Sequence, residues 1–424
     1  MAASAACGLA QSLDQMVLFR FVQGLFSGPL IPLSQSVLID SFPANQRTRV
    51  MSYWAMGVMG GPAVGPMIGG WLAQDFDWRW NFYVNLPLGL LALALVARYF
   101  PSPPPRPERA DWRGFLLLFL FVVALQILLD QGDILDWSSS RTIVLLGVTA
   151  LTAFAAFVAR GIAIGDRNVI KLRLFADINF AACALLISVV GMGLLGFLVL
   201  TPVFLVETLG WEEVTAGLVI GAAGGAGLVS AAVSGRLAPI AGTRPLIVIG
   251  ALLTSAGWIG FSRLNLDVSP LQVAVPGALI LFGIQLAYSP IAAQAFLHVA
   301  DAERDEAAGL FNLVKTLGFS FGTTLVSVLL YRGGQRDWNL GVGFLDPSRG
   351  AYLRFFAGLD LDSHSPGAAA VASAVLQQHA MMVTLVKTSE VMAALALVAL
   401  PLCLFLARPA KGRKGAVDLA AAAG

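Results

Sequence analysis

Charge is what this sequence has least of. Of 424 residues only 12% are Asp, Glu, Lys or Arg, against 57% hydrophobic ones, whereas soluble domains carry about 25% charge. So little polar surface cannot cover a water-soluble chain of this length, and a lipid-facing surface needs none. Cysteine is nearly as scarce. Cys7, Cys183 and Cys403 each stand alone in an apolar run, which argues for small packing residues over metal ligands or a disulfide framework. Met1 to Leu13 has no basic n-region, so a secretory signal is not expected. No Gly-rich phosphate loop ending in Gly-Lys-Ser/Thr occurs, which removes the usual sign of ATP as an energy source. A net charge of +2 gives no reason to expect nucleic acid as a partner. The composition is that of a polytopic α-helical membrane protein.

Apolar runs of the length that spans a bilayer fall at Met16 to Ile39, Val50 to Leu72, Phe82 to Phe100, Gly114 to Leu129, Ile143 to Ile164 and Phe180 to Val206. Five more lie at Ala216 to Pro239, Pro245 to Phe261, Leu271 to Val299, Gly309 to Tyr331 and Thr384 to Ala407. Eleven complete spans are therefore expected, preceded by Met1 to Leu13, too short to cross and read as the last half of a helix. Alternate loops are basic: Arg47 and Arg49; Arg98, Arg106, Arg109 and Arg113; Arg160, Arg167, Lys171 and Arg173; Arg236 and Arg244; then Arg408, Lys411, Arg413 and Lys414. The opposite short loops hold only Arg79, Arg141 and Arg263. The positive-inside rule places the first set and the C-terminus in the cytoplasm. It places Arg332 to Gln378 outside, as a loop with a short helix near Ala368 to Gln377.

The Pro-rich segment "PSPPPRPERADWR" over 101–113 cannot continue a helix and reads as a cytoplasmic linker. It divides residues 1–100, an incomplete N-terminal bundle, from a helix pair at 114–164. A connector at 165–179, a C-terminal six-helix bundle at 180–407 and a tail at 408–424 follow.

Two intramembrane patterns carry chemistry. In "GVMGGPAVGPMIGGW", Gly61, Gly65 and Gly69 recur every four residues with Pro62, Pro66 and Gly70 beside them. That spacing makes a flat strip for close helix approach, and the prolines break the ladder. Both a simple helix-dimer contact and a tight seal on one side of a transport path fit the spacing. Arg20 sits two turns inside "LFRFVQGLFSGPLIPLSQ". An arginine there costs a few kcal/mol (about 3) unless it faces the bundle interior and a partner or snorkels to the interface. Gln35, Gln126, Asp130, Glu207, Gln285, Tyr288, Gln294, Asn312, Lys315 and Glu390 are candidate cavity or substrate residues, since polar groups in lipid need partners or water. For the glutamines and Tyr288, hydrogen bonding between helices fits equally well. His298 is placed at the cytoplasmic end.

"RFVQGLFSGPLIPLSQSVL", the "GPAVGPMIGGW" strip, "WRWNFYVNLPLGL" and "LQILLDQGDILDW", in that order, resemble the fourteen-helix, EmrB/QacA-type branch of the drug:proton antiporters in the major facilitator superfamily. The resemblance runs from Ala10 to about Lys414. It implies two six-helix bundles with two inserted helices, here Gly114 to Leu129 and Ile143 to Ile164. It further implies proton-coupled efflux of amphipathic or lipophilic compounds across a bacterial inner membrane, driven by the proton motive force without a bound cofactor. Arg20 then corresponds to the motif arginine of proton coupling, and Gly61 to Gly70 to the antiporter motif. Gly235 to Arg244 is a degenerate copy of the basic cytoplasmic loop. For EmrB-like pumps of double-membrane bacteria the resemblance further implies pairing with a periplasmic adaptor and an outer-membrane channel. On this map Met1 to Leu13 ends the third helix, so the expectation is an exporter fold lacking two helices with their acidic residue. An exporter of a metabolite or siderophore, and a truncated product that docks a partner without transporting, remain open readings of the residues.

Overall fold

The computed structural model describes residues 1–42, 44–99, 111–165, 171–300, 303–346, 348–356 and 365–406. The Pro-rich linker up to residue 110, Arg167 and the basic tail from residue 408 lie outside the described residues. All regular structure among the described residues is helical, as lipid requires of a chain that must satisfy its own backbone.

The helices are α1 (Ala2–Gly8), α2 (Leu13–Ser27), α3 (Leu30–Ser41), α4 (Ala44–Asp75), α5 (Trp80–Tyr83), α6 (Asn85–Tyr99), α7 (Trp112–Gln131) and α8 (Arg141–Ile164). They continue with α9 (Ile178–Pro202), α10 (Glu213–Ala241), α11 (Thr243–Phe261), α12 (Pro270–Ala295), α13 (Arg304–Gly341), α14 (Gly350–Phe356), α15 (Pro366–Leu397) and α16 (Ala399–Leu402). Nine described spans are long and apolar enough to cross a membrane, against the eleven expected. The run Met16 to Ile39 is divided at Gly28 and Pro29 into α2 and α3, because the proline cannot donate into the preceding turn. The run Val50 to Leu72 lies within the single helix α4. Its glycines and prolines dilute the hydropathy that the other spans carry.

The segment Arg332 to Gln378, expected as a loop, is mostly helical. Helix α13 runs on to Gly341 and α15 already begins at Pro366, with α14 between them. Two features hold these extensions. Ser365 accepts from the Ala368 N–H at 3.2 Å and starts α15. Farther on, the enclosed Asp337 carboxylate accepts from Thr384 Oγ1 at 3.0 Å and Lys387 Nζ at 2.5 Å.

Helices α9 to α13 and α15 form one bundle. Its close crossings are set by small residues: a Cβ on Gly250 would lie 2.6 Å from the Gly283 carbonyl, and one on Gly322 would lie 2.5 Å from Met192 Cα. Bringing backbones this near replaces the hydrophobic drive that is absent in lipid. Phe180, Ile187, Ile291 and Phe311 fill the interior at one end, and Phe197, Phe204, Trp258 and Phe261 at the other. Cys183 and Cys403 are buried in the first of these clusters, and all three cysteines are free thiols.

The pair α7 and α8 attaches to this bundle through α13. Ser320 Oγ donates to Gln126 Oε1, whose amide nitrogen donates to both Asp130 oxygens at 2.9 and 3.1 Å. Arg332 pairs with Asp133 one turn beyond.

Candidate transport gate and cavities

The Gly–Pro strip of α4 meets the start of α10 backbone to backbone. A Cβ on Gly70 would stand 2.7 Å from the Glu213 carbonyl oxygen, and one on Gly217 would stand 2.7 Å from the Pro66 carbonyl oxygen. The contact is thus reciprocal, with each helix contributing the glycine that the other helix's carbonyl requires. The Val214 N–H adds a hydrogen bond to Gln74 Oε1 at 3.1 Å. Gly69 faces Asn81 Oδ1 at 3.4 Å, while Gly61 and Gly65 have open space around their would-be Cβ positions. Among the described residues of the strip, the closest backbone approach to α10 is in its last turns. The Pro62 side chain lies outside what is described, as does that of Gln35 on α3.

This contact closes the end of the protein opposite the turns that carry Lys171, Arg173 and Arg244. Behind it, Pro202 at the close of α9 withholds an N–H from the ladder, and the chain passes into a π-helical turn over Val203–Thr208. Such turns arise where one extra residue is accommodated and recur at functional sites. Glu207 projects from it, exposed, and makes neither an ion pair nor a hydrogen bond with any described residue. It lines two spaces. One, about 390 Å³, lies between Pro66, Gly69 and Gly70 of α4 and Glu213 and Gly217 of α10. The other, about 800 Å³, lies between the π-turn, α13 and α15 and includes Tyr331, Gln335, Trp338 and Gln377.

Arg20 is exposed, with its guanidinium 4.5 Å from the centre of the Phe82 ring. It donates to Gln23 Oε1 at 3.3 Å, and Gln23 Nε2 donates to Ser4 Oγ at 2.7 Å. It therefore joins α2 to α1 and α5 through a ring and an amide. The interior-facing arginine with a charged partner is not what this structure shows: Arg20 is exposed, and no carboxylate pairs with it among the described residues.

Several candidate cavity residues serve as contacts between helices instead. Gln126 and Asp130 lie in the α7–α13 seam. Gln294 Nε2 donates to Asn179 Oδ1 at 3.1 Å, and Asn179 Nδ2 returns to the Gln294 carbonyl at 2.8 Å, joining α12 to α9. Gln285 is buried where α10 crosses α12, beside Gly227. Tyr288 is half-buried against the cluster of Phe180 and Ile291. Lys315 donates to Asn312 Oδ1 at 2.7 Å with its ammonium 5.9 Å from the Phe319 ring. Glu390 is exposed and belongs to neither space around Glu207. Of the carboxylates singled out from the sequence, Glu207 alone reaches the gate.

Sequence reasoning missed Tyr331, Gln335 and Trp338 as a lining face. It also missed an ion-pair latch at the opposite, basic end. Lys171 Nζ lies 2.8 Å from Glu306 and 3.4 Å from Glu303, Arg173 pairs with Glu303, and His298 Nδ1 is 3.2 Å from Asp177. The latch holds the connector before α9 against the turn before α13. Hydrogen bonding from Arg173 holds the Glu303 carboxyl below its ordinary range, and the hydrogen bond to Glu306 lifts the Lys171 ammonium above its own. The depressed carboxylate contributes stability that is present above its unfolded pKa and lost as pH falls through the folded one. The raised ammonium contributes stability that disappears only when pH rises past the usual lysine value. Glu303→Gln is therefore expected to lower the melting temperature near neutrality, where the paired carboxylate stabilises the fold, and to flatten the acid limb below about pH 5, where the two proteins converge. Thermal unfolding in detergent across pH checks this, and an acid limb identical in both proteins would contradict it.

Comparison with known proteins agrees with this architecture. The sequence profile of the Major Facilitator Superfamily matches residues 1–323. The chain is 32% identical over 336 residues to the fatty acid resistance protein FarB of Neisseria gonorrhoeae, covering 78% of this chain and 65% of FarB. It is 30% identical over 334 residues to the multidrug export protein EmrB of Escherichia coli K12, covering 77% of this chain and 64% of EmrB. It thus spans just under two thirds of the length of these relatives. Among solved structures, a bacterial homologue of the human lysosomal transporter Spinster, in an inward-facing and unoccupied conformation, superposes with a TM-score of 0.54. That match covers 96% of this chain and 82% of the other at 16% identity. Membrane-spanning helices, glycine-set crossings and the profile match over most of the chain lead to one assignment: this multi-pass membrane protein belongs to the Major Facilitator Superfamily.

Proposed function

We propose that the chain works as a proton-coupled exporter of amphipathic compounds in a bacterial inner membrane, alternating access by opening and closing the α4–α10 contact. The observation that supports this most directly is the reciprocal closure of Gly70 on Glu213 and Gly217 on Pro66. A passive scaffold needs no contact between backbones backed by a carboxylate-lined space, whereas a transporter must exclude water and ions from its closed side. The relatives' names, multidrug export and fatty acid resistance, favour amphipathic cargo. The basic end is cytoplasmic on the positive-inside rule, which puts the closed gate outside. An adaptor reaching an outer-membrane channel would meet the protein on that outer side.

Energy is sufficient. One charge crossing 100 mV releases about 2.3 kcal/mol, enough for roughly a fifty-fold gradient of a neutral compound. Reconstitution in liposomes with an imposed pH gradient tests the reading. Movement of an amphipathic dye that follows the proton gradient and stops when the gradient is collapsed is expected. Dye movement indifferent to the gradient, or none with any amphipathic probe, would refute it.

A further inference from the structure

We propose that the open groove between the end of α11 and the start of α12 holds an anionic phospholipid of the outer leaflet, its phosphate on Arg263, Asn265 and Gln272. The groove has a volume of about 480 Å³. Among the described residues Arg263 makes neither an ion pair nor a side-chain hydrogen bond, whereas Arg79, in another outer loop, is paired with Asp77. The two amides beside Arg263 spend their acceptors on the backbone. Asn265 Oδ1 takes the Asp267 N–H at 2.9 Å, and Gln272 Oε1 takes the Ser269 N–H at 2.8 Å. What the groove has left at this end is a set of donors, one guanidinium and two amide NH2 groups, without an acceptor among the described residues.

A phosphodiester supplies the acceptors these donors lack, and the guanidinium fork matches its two free oxygens. Asp267, the carboxylate of the same loop, does not line the groove. An ammonium headgroup therefore gains nothing beside Arg263, and phosphatidylglycerol is favoured over phosphatidylcholine. The rest of the groove is apolar. Leu271 and Val275, four residues apart on one face of α12, are 72% and 51% exposed. That face is turned away from the core that Val273 and Ile280 help to fill, so in a spanning helix it meets lipid. One turn below Arg263, Gly260 lies against the Pro276 ring, its would-be Cβ 3.0 Å from the proline Cβ. A glycine seated on a proline keeps the floor low between the two helices and leaves a trough for an acyl chain. Donors thus stand where the spans end, and the apolar trough runs from them toward the bilayer centre. An amphipath that enters sideways from the membrane fits this order, and an open side is what such entry requires.

The site is independent of the exporter reading and is tested without transport. The full chain in phosphatidylcholine nanodiscs, doped with phosphatidylglycerol carrying a diazirine on one acyl chain, is expected to crosslink saturably at Leu271 and Val275, as located by peptide mass spectrometry. Unlabelled phosphatidylglycerol should suppress the labelling, and inorganic phosphate should not. Arg263→Ala is expected to weaken binding about tenfold through loss of the charge-assisted hydrogen bonds, and Arg263→Lys less. Asn265→Asp and Gln272→Glu keep the oxygens that accept from Asp267 and Ser269 while replacing a donor by a negative charge. Each should weaken binding at least threefold in a protein that folds as before. Arg141→Ala, which removes an exposed arginine that does not line the groove, should change nothing. Labelling equal in the parent, Arg263→Ala and Asn265→Asp proteins, or equal with a phosphatidylcholine probe, would reduce the groove to general lipid contact and overturn the proposal. An equal loss in Arg141→Ala would do the same. Displacement by inorganic phosphate would make it a free-anion site and overturn the assignment to lipid.

Discussion

Gly217→Val is expected to abolish gradient-driven efflux and to raise passive proton leakage tenfold or more, while the protein still inserts and folds. A Cβ at Gly217 would lie 2.7 Å from the Pro66 carbonyl oxygen and 3.2 Å from Met67 Cα. These are backbone atoms, so no rotamer change relieves the overlap and the helices must separate. Overpacking of this kind costs about 1–3 kcal/mol. Charged against the closed state alone, it lowers that state's population by about five- to a hundredfold, since each 1.4 kcal/mol is tenfold. Gly70→Val should act alike from the other helix, because Gly70 meets the Glu213 carbonyl. Gly61→Ala and Gly65→Ala provide the contrast. Nothing lies within 4 Å of their would-be Cβ atoms, so both should transport near normally, with the small gain in helix propensity that alanine brings. Leakage is read from pH-jump decay in liposomes and efflux from the same vesicles. If Gly65→Ala proved as damaging as Gly217→Val, the closure would not be the backbone contact seen between α4 and α10.

This contrast also marks how far the sequence could be read. Four-residue glycine spacing identified a surface for close approach, since spacing along one helix is local information. It could not say which glycines are in contact, because that depends on where α10 lies, and its Gly217 stands within an apolar run without a motif around it. The spans were legible for the same local reason. Length and hydropathy over twenty residues report the solvent, and in lipid the backbone has only one way to satisfy itself. The helical extension past Tyr331 was not legible. Its residues are polar, and polarity alone reads as loop; only the recurrence of Ser327, Tyr331, Gln335 and Trp338 along one face hints at a continued helix. Gln126 and Gln294 show a further limit. A polar residue in lipid must be satisfied, but whether by a cavity or a neighbouring helix depends on partners such as Ser320 and Asn179, which are 194 and 115 residues away in the chain.

Arg20→Ala is expected to remove proton coupling while leaving the fold as stable as before. Arg20 lies seven residues after Leu13, about 10 Å along α2 at 1.5 Å per residue. Even on lenient insertion scales an arginine inside the apolar region costs about 3 kcal/mol. Against this, stacking at 4.5 Å over Phe82 returns about 1 kcal/mol, and one hydrogen bond to the Gln23 amide returns about as much. A residue whose visible contacts do not exceed its cost is not retained for stability, so deleting it should leave the melting temperature unchanged or slightly raised. Its effect should appear in energy conversion instead. In liposomes the Arg20→Ala protein is expected to lose at least tenfold in uphill efflux driven by a pH gradient, yet to keep substrate counterflow, which exchanges cargo without net proton movement. Arg20→Lys should recover part of the uphill rate, because the charge remains while the planar stacking on Phe82 is lost. Phe82→Leu should do likewise by keeping the bulk and removing the ring. Loss of counterflow together with uphill transport would make Arg20 a determinant of cargo binding or assembly, and an unchanged uphill rate would leave it without a part in coupling.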